Sequence, residues 1–542
     1  MNRLQTADLV VFFLYFAVVV VYGLFIYRKK KNTQTSSQEF FLAEGSLTWW
    51  AIGASLIASN ISAEHFIGMS GSGFAIGLAI SSYEWMAAGT LILVAIFIIP
   101  VYLKNHIYTM PQFLSVRYNN TVSTIMAVFW LLVYVLVNLT SILYLGSLAI
   151  ASISGIPFGC CIAALSFLSI LVTLGGMKVI GYTDVIQVIV LIAGGLVTTY
   201  LALSLLADTF GFHGNIWKAL SLLRMQAPEH FHMIFSKGDP YYPELPGLSV
   251  LFGGMLVNNL AYWGCNQYIV QRALGADLQT ARKGILFAAF LKLLIPIIAV
   301  LPGIAMYVMH QKGLFQQEMM VNGMVKPDHA YPTLMNLLPA GLKGVAFAAL
   351  TAAIVASLAG KANSIATIYS LDIHKKFINP ASSEIMLVKT GRWTVIISMA
   401  IAACITPALQ TLDQAYQFIQ EYVGFVSPGV LAIFLLGFFW KKTTTRAALI
   451  GALITIPLSV MLKLLPVYTQ EAFPSIPFLN RMVITFVVVS LVMMVISLYF
   501  SKNDRETNPM EVNAGMFSVS RSFWVASLLI FGILAALYTV FW

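Results

Sequence analysis

Residues 54–73 read ASLIASNISAEHFIGMSGSG, inside a segment long and apolar enough to cross a membrane. Ser59, Asn60, Ser62, Glu64 and His65 follow one another closely, and Gly68, Gly71 and Gly73 come after them. A helix in lipid satisfies its own backbone but not such side chains. Polar groups inside a bilayer are costly and mark binding or transport. The stretch reads as a membrane helix broken for a purpose.

Working outward, the chain of 542 residues is 59% hydrophobic and only 10% charged, with a mean hydropathy of +0.84. Soluble domains carry about 25% charged residues, so this is an integral membrane protein. Long unbroken apolar runs favour helical spans over a barrel of short alternating strands. Fourteen candidate spans can be marked between residues 7 and 542. With the amino terminus outside, 20 of the 31 Lys and Arg fall on one face, 9 on the other and 2 inside spans. The basic face is then cytoplasmic, which accounts for the net charge of +10 without nucleic acid. Both termini are expected outside the cytoplasm. The four cysteines, all in apolar runs, are read as small core residues rather than a disulfide framework. GMSGSG at 68–73 lacks the Lys-Ser/Thr of a phosphate loop. No Ser/His/Asp or metal-ligand spacing points to an enzyme.

Polar residues collect at particular depths. Lys292 lies nine residues beyond Lys283, about 13 Å into the hydrocarbon, and Lys361 is deeper still. Glu64 and Glu84 are their acidic counterparts. A second interrupted segment, LVNNLAYWGCNQYIVQR (256–272), carries Asn258, Asn259, Asn266 and Gln267; a third, DQAYQFIQEYVGFVSPGVLAIF (413–434), carries Gln414, Gln417, Gln420 and Glu421. Such amides suit a hydroxyl-rich ligand. The first two breaks lie five spans apart. Five is odd, so two five-span units must run oppositely through the bilayer, the pattern of an inverted-repeat transporter.

The stretch 54–86, with TLGGMKVIGYTDVIQ, YWGCNQYIVQR, AFAALTAAIVASLAGKANS, IQEYVGFVSPG and LGFFWKKTTTRAALIGA, resembles the sodium/solute symporter family in its bacterial sodium–galactose/glucose branch. The resemblance spans essentially the whole chain. It implies an all-α, leucine-transporter-type inverted five-helix repeat with one leading and three trailing helices. The single transporter unit, 1–542, would divide into a leading helix and linker (7–46), repeat one (47–206), repeat two (248–437) and trailing helices (444–542).

The same resemblance implies solute contacts at Asn60, His65, Glu84, Asn138, Asn259, Lys292 and Gln420. It implies an inner gate at Tyr262 and outer-gate residues at Met69, Tyr83 and Tyr416. Co-transported sodium would be held by Ala58, Ile61, Ala353 and Ala356 and by the Ser357 hydroxyl, with Asp184 on an ion path. The chain departs from the pattern at several of these positions. Ala356-Ser357 replaces Ser-Ser, thinning the ion site. His65 replaces Gln, Ala87 and Gly360 each replace Ser, and Lys361 replaces an apolar residue. Ala359 and Gly360 lack the hydroxyls that a second sodium would use.

The expected function is sodium-coupled uptake of a sugar-like solute by alternating access, in the lipid bilayer of a cell inner membrane. A sodium-independent facilitator, and a symporter of an acidic sugar, polyol or organic acid, stay open as alternatives. The oligomeric state is left open.

Overall fold

A computed structural model describes residues 4–28, 47–175, 177–321, 323–411, 415–469, 474–500 and 508–542. Among them, nine helices are long and apolar enough to cross a membrane, running from Leu78–Lys104 to Arg521–Val540. Three shorter apolar helical stretches, Thr6–Val19, Phe158–Thr173 and Ser427–Phe439, accompany them. The helix Leu342–Thr367 is buried on almost every face, and Trp49–Asn60 is nearly as enclosed. The late helices instead expose Leu453, Leu491, Val495 and Leu528, as lipid-facing surfaces do.

The first broken segment is held open by its own polar side chains. The helix Trp49–Asn60 ends where Ile61 turns extended, at φ −76° and ψ 119°. The Ser62 amide then donates to His65 Nδ1 at 3.4 Å, and the Glu64 amide donates to Ser62 Oγ at 3.2 Å. Short polar side chains that capture backbone amides compete with the helical ladder. The chain resumes as a π-type turn, Glu64–Met69, and then the helix Ser70–Ala75. In the second broken segment, Gly254–Gly264 ends at Cys265, and extended Asn266 precedes the helix Gln267–Leu274. Here the Gln267 amide donates to Tyr134 Oη at 3.2 Å, and the Gln267 carbonyl oxygen Oε1 accepts from the Met110 amide at 2.8 Å. Neighbouring helices thus supply partners where the ladder stops.

Close packing fixes these segments. Leu278–Lys292 lies against Trp49–Asn60; a Cβ on Gly284 would stand 2.8 Å from both Ile52 Cβ and the Trp49 carbonyl. Small residues let membrane helices approach this closely. Near the start of the leading helix, Asp8 Oδ1 accepts from the amides of Gly341 and Gly344 at 2.7 and 2.9 Å. That carboxylate sits at the amino terminus of Leu342–Thr367, where the helix dipole favours it.

Two expectations are corrected. The chain is not wholly helical: Met320–Val321 pairs antiparallel with Met324–Val325. The intervening Asn322-Gly323 is a strong two-residue hairpin signal, and Gly323 has φ +79°. The four cysteines are all free, but only Cys161 and Cys265 are buried; Cys160 and Cys404 are exposed, since apolar runs in this chain also face outward. Most of the basic run at 28–32, together with Gln414 and the side chains of Tyr416 and Gln417, falls outside the described residues.

The contact between Ile295–Gln311 and Ser70–Ala75 gives a stability test. A Cβ on Gly303 would overlap the Ser70 carbonyl and reach the Phe74 amide at 3.0 Å, whereas one on Gly532 meets nothing within 4 Å. Gly303→Ala is expected to destabilise by about 1–3 kcal/mol, the scale of overpacking. Gly532→Ala should be neutral or slightly stabilising. Melting of the two purified variants checks this, and equal Tm values would place the two helices farther apart.

Candidate functional site

A cavity of about 100 Å³ lies between the two broken segments. The space admits several waters or a small polar solute.

Its centre is an ion pair. Lys292, at the end of Leu278–Lys292, donates from Nζ to Glu84 Oε2 and to Asn60 Oδ1, and its Nζ lies 5.1 Å from the centroid of the Trp263 ring. Glu84 is carried by the helix Ser82–Leu93, and its other oxygen pairs with His65 Nε2 at 3.2 Å. With His65 Nδ1 accepting from the Ser62 amide, Nε2 carries the proton and donates to the carboxylate. Asn60 Nδ2 donates to Tyr262 Oη at 2.9 Å, and Tyr262 in turn bonds the Tyr268 hydroxyl. One hydrogen-bonded chain therefore runs from His65 to Tyr268 and ties both breaks together. A buried pair with its remaining donors satisfied avoids the cost of a lone charge.

The other carboxylate and ammonium are arranged differently. Glu64 accepts from Ser141 Oγ at 2.8 Å and from Ser62 Oγ at 3.4 Å. Lys361 Nζ stands 5.2 Å from the centroid of the Tyr268 ring and lines the cavity. Lys361 makes no ion pair among the described residues; of the cavity's carboxylates, Glu84 is taken by Lys292 and His65.

Asn138, Asn259 and Gln420 line the same cavity. Asn138 is turned inward by a π-type stretch, Val133–Leu139, where its Nδ2 donates to the Val133 carbonyl at 3.1 Å. Tyr83 is on the wall, while Met69 is wholly buried and is not among the lining residues. The Tyr416 side chain is outside the described residues. Asn258, named among the amides of the second break but not among the solute contacts, also lines the cavity, and its buried Oδ1 has no hydrogen-bond partner among the described residues. Its signal was the doubled amide Asn258-Asn259. Trp130 and Tyr134 were missed on the wall; Tyr134 lies one turn before Asn138 on the same helical stretch.

Next to the cavity, the end of Trp49–Asn60 meets Leu342–Thr367. Helix termination leaves carbonyls there without ladder partners. Ser357 Oγ donates to the Ser59 carbonyl at 3.1 Å and keeps its lone pairs free to accept. Ala58, Ile61, Ala353, Ala356 and Ser357 are all essentially fully buried. Carbonyl and hydroxyl oxygens suit a hard cation; the methyl of Ala356 offers none.

Asp184 sits nearby. Its Oδ2 accepts from Ser55 Oγ at 2.6 Å, Arg272 Nε donates to the same hydroxyl at 2.8 Å, and Arg272 Nη2 is 3.9 Å from Oδ2. Gly360 makes room for that guanidinium, since a Cβ there would lie 2.6 Å from Arg272 Nη2. Gly360 was read only as a missing hydroxyl. Its side-chain space is instead occupied by Arg272, a residue the motif reading left unassigned.

The model of the sodium:solute symporter family matches residues 40–455. A sodium/glucose cotransporter of Vibrio parahaemolyticus is 47% identical, over 100% of this chain and 99% of that protein. A sodium/myo-inositol cotransporter 2 of Mus musculus is 31% identical, over 86% of this chain and 72% of that protein. A solved Na+-coupled sialic acid symporter, in a substrate-bound outward-open state, superposes with a TM-score of 0.78 at 22% identity. That match covers 93% of this chain and 100% of that one, and it shows the fold. The chain belongs to the sodium:solute symporter family.

Proposed function

We propose that this chain couples inward sodium movement to uptake of a neutral, hydroxyl-rich solute of monosaccharide size. The observation that carries the reading is one short turn. Asn60 lines the cavity, the carbonyl of Ser59 before it accepts from the Ser357 hydroxyl, and in this reading the carbonyls of Ala58 and Ile61 on either side bind the ion. An ion held by those carbonyls orders the same turn that a solute needs ordered. Each ligand then raises the other's affinity, because both favour one arrangement of the break. The family is one of transporters, and nothing in the cycle requires a covalent step.

Charge supports a neutral solute. The cavity's two carboxylates, Glu64 and Glu84, are matched by two ammonium groups, Lys292 and Lys361, so no net charge is left to attract an ion. The relatives named for glucose and for myo-inositol both carry neutral polyhydroxylated rings. In this reading Asn60, His65, Glu84, Asn138, Asn258, Asn259, Lys292 and Gln420 bond solute hydroxyls. Tyr262 covers the solute from the cytoplasmic side, with Met69, Tyr83 and Tyr416 on the outer path. Sodium is bound by Ala58, Ile61, Ala353 and Ser357, alongside the carbonyl of Ala356. One ion moves per solute, with Asp184 on its exit path.

The proposed topology has fourteen crossings: the nine long helices, the three shorter apolar ones and the two broken segments. Repeats at 47–206 and 248–437 are flanked by the leading 7–46 and trailing 444–542 segments. Both termini lie outside the cytoplasm of a cell inner membrane. A second reading, an acidic sugar, rests on Lys361 making no direct ion pair while it lines the cavity.

Uptake of labelled glucose, myo-inositol and glucuronate into proteoliposomes, with and without an inward sodium gradient, tests the function. Uptake of the two neutral compounds should depend on the gradient, and equal uptake without sodium overturns the coupling. Ser357→Ala should raise the sodium concentration for half-maximal uptake at least tenfold, the scale of a lost charge-assisted contact of about 1.5–3 kcal/mol. Ala356→Ser should lower that concentration by restoring an oxygen.

Lys361→Met separates the two solute classes. Neutral-sugar uptake is expected to stay within about thirtyfold of the parent, because a contact between a cation and a ring is worth only about 0.5–2 kcal/mol. Glucuronate uptake should remain low in both proteins. A parent that accumulates glucuronate and a Lys361→Met variant that does not would favour the acidic-sugar reading.

A further inference from the structure

Away from the transport cavity, a groove of about 840 Å³ runs between the helix Leu278–Lys292 and the last helix, Arg521–Val540. Both helices lie in segments apolar enough to cross a membrane. Phe287, Phe290 and Leu529 line the groove, and the last two are also exposed on the outer surface. The groove therefore opens toward acyl chains. One end is different: Arg282, Lys283, Ser520 and Ser522 line it.

The chemistry of that end is cationic. Arg282 gives three N–H groups to the carbonyls of Ala95, Ser518 and Met516, at 3.1, 2.7 and 2.7 Å. Those bonds fix its guanidinium in place with two of five N–H groups to spare. Lys283 is exposed and makes no ion pair among the described residues. Ser520 caps the last helix by accepting from the Phe523 amide at 3.3 Å, which sets the positive end of that helix at the same place. Asp277, the acidic residue that starts Leu278–Lys292, has its carboxylate turned to the amides of Gln279 and Thr280 at 3.0 and 3.1 Å.

We propose that this groove holds an anionic phospholipid. Its phosphate meets Lys283 and Arg282 beside Ser520 and Ser522, and its acyl chains follow the aromatic wall. A basic pocket between membrane helices, at the face rich in Lys and Arg, suits such a headgroup. A zwitterionic headgroup brings its own cation against Arg282 and Lys283 and is disfavoured. The lipid braces the helix that carries Lys292 into the transport cavity.

Native mass spectrometry and melting of the full chain, titrated with phosphatidylglycerol or phosphatidylcholine of identical acyl chains, test the site. Phosphatidylglycerol should bind and raise Tm, and phosphatidylcholine should do neither. Lys283→Ala should weaken phosphatidylglycerol binding about fivefold, the effect of one basic residue near an anionic lipid surface. Lys375→Ala, an exposed lysine on the helix that ends at Ile378, should not. Ala526→Trp, which fills the groove, should abolish binding; if that variant fails to fold, Lys283→Ala decides. Equal binding of the two lipids, undiminished binding by Lys283→Ala, or equal loss in Lys375→Ala overturns the proposal.

Discussion

A backbone carbonyl that loses its ladder partner inside hydrocarbon has no water to turn to. This chain meets that condition after Asn60 and after Gly264, and much of its interior is organised around these interruptions. At the first, the side chains of His65 and Ser62 take up the freed amides of Ser62 and Glu64. At the second, Tyr134 and Gln267 from separate segments engage each other and the backbone of Met110. Helix termination at the first break leaves carbonyls without ladder partners, and Ser357 reaches in to the carbonyl of Ser59. A mobile cation is the partner such carbonyls suit.

The charged network follows from the same condition. Lys292 is tolerable at its depth because Glu84 and Asn60 converge on it. Those two residues are in turn oriented by His65 and Tyr262. Removing any one member leaves a buried charge or amide without its partner, which costs more than the bond itself was worth. The network is therefore both a structural joint between the two broken segments and a surface on which hydroxyl groups can exchange with protein groups.

Much of this was legible in the sequence. The dense polar stretch at 59–65 announced the first break, and the amides between 258 and 267 announced the second. Lys292 and Glu84 stood out because a charge in an apolar run needs an explanation. What could not be read was partnership. Lys361 lies one helical turn beyond Ser357, a spacing that suggested it would find a carboxylate, yet its neighbour is the ring of Tyr268. Arg272 and Gly360 are 88 positions apart, and only packing reveals that one fills the space vacated by the other. The hairpin at 320–325 had its Asn-Gly signal in plain view, overshadowed by the helical character of everything around it. Cys160 and Cys404 were misassigned because an apolar run does not say which of its faces is turned inward.

The meeting of Arg272 with Gly360 bears on how steep a gradient the protein can build. A fixed guanidinium stands beside Ser59 and Asp184, and like charge repels a second mobile cation from that space. In the proposed cycle of one cation, a membrane potential of 100 mV contributes about 2.3 kcal/mol for the one charge moved. That alone sustains roughly a fiftyfold solute ratio, before any sodium concentration difference is counted. A two-cation cycle would square that ratio but consume twice the ion current per solute. Under that proposal the space that Gly360 leaves to Arg272 trades depth of accumulation for yield.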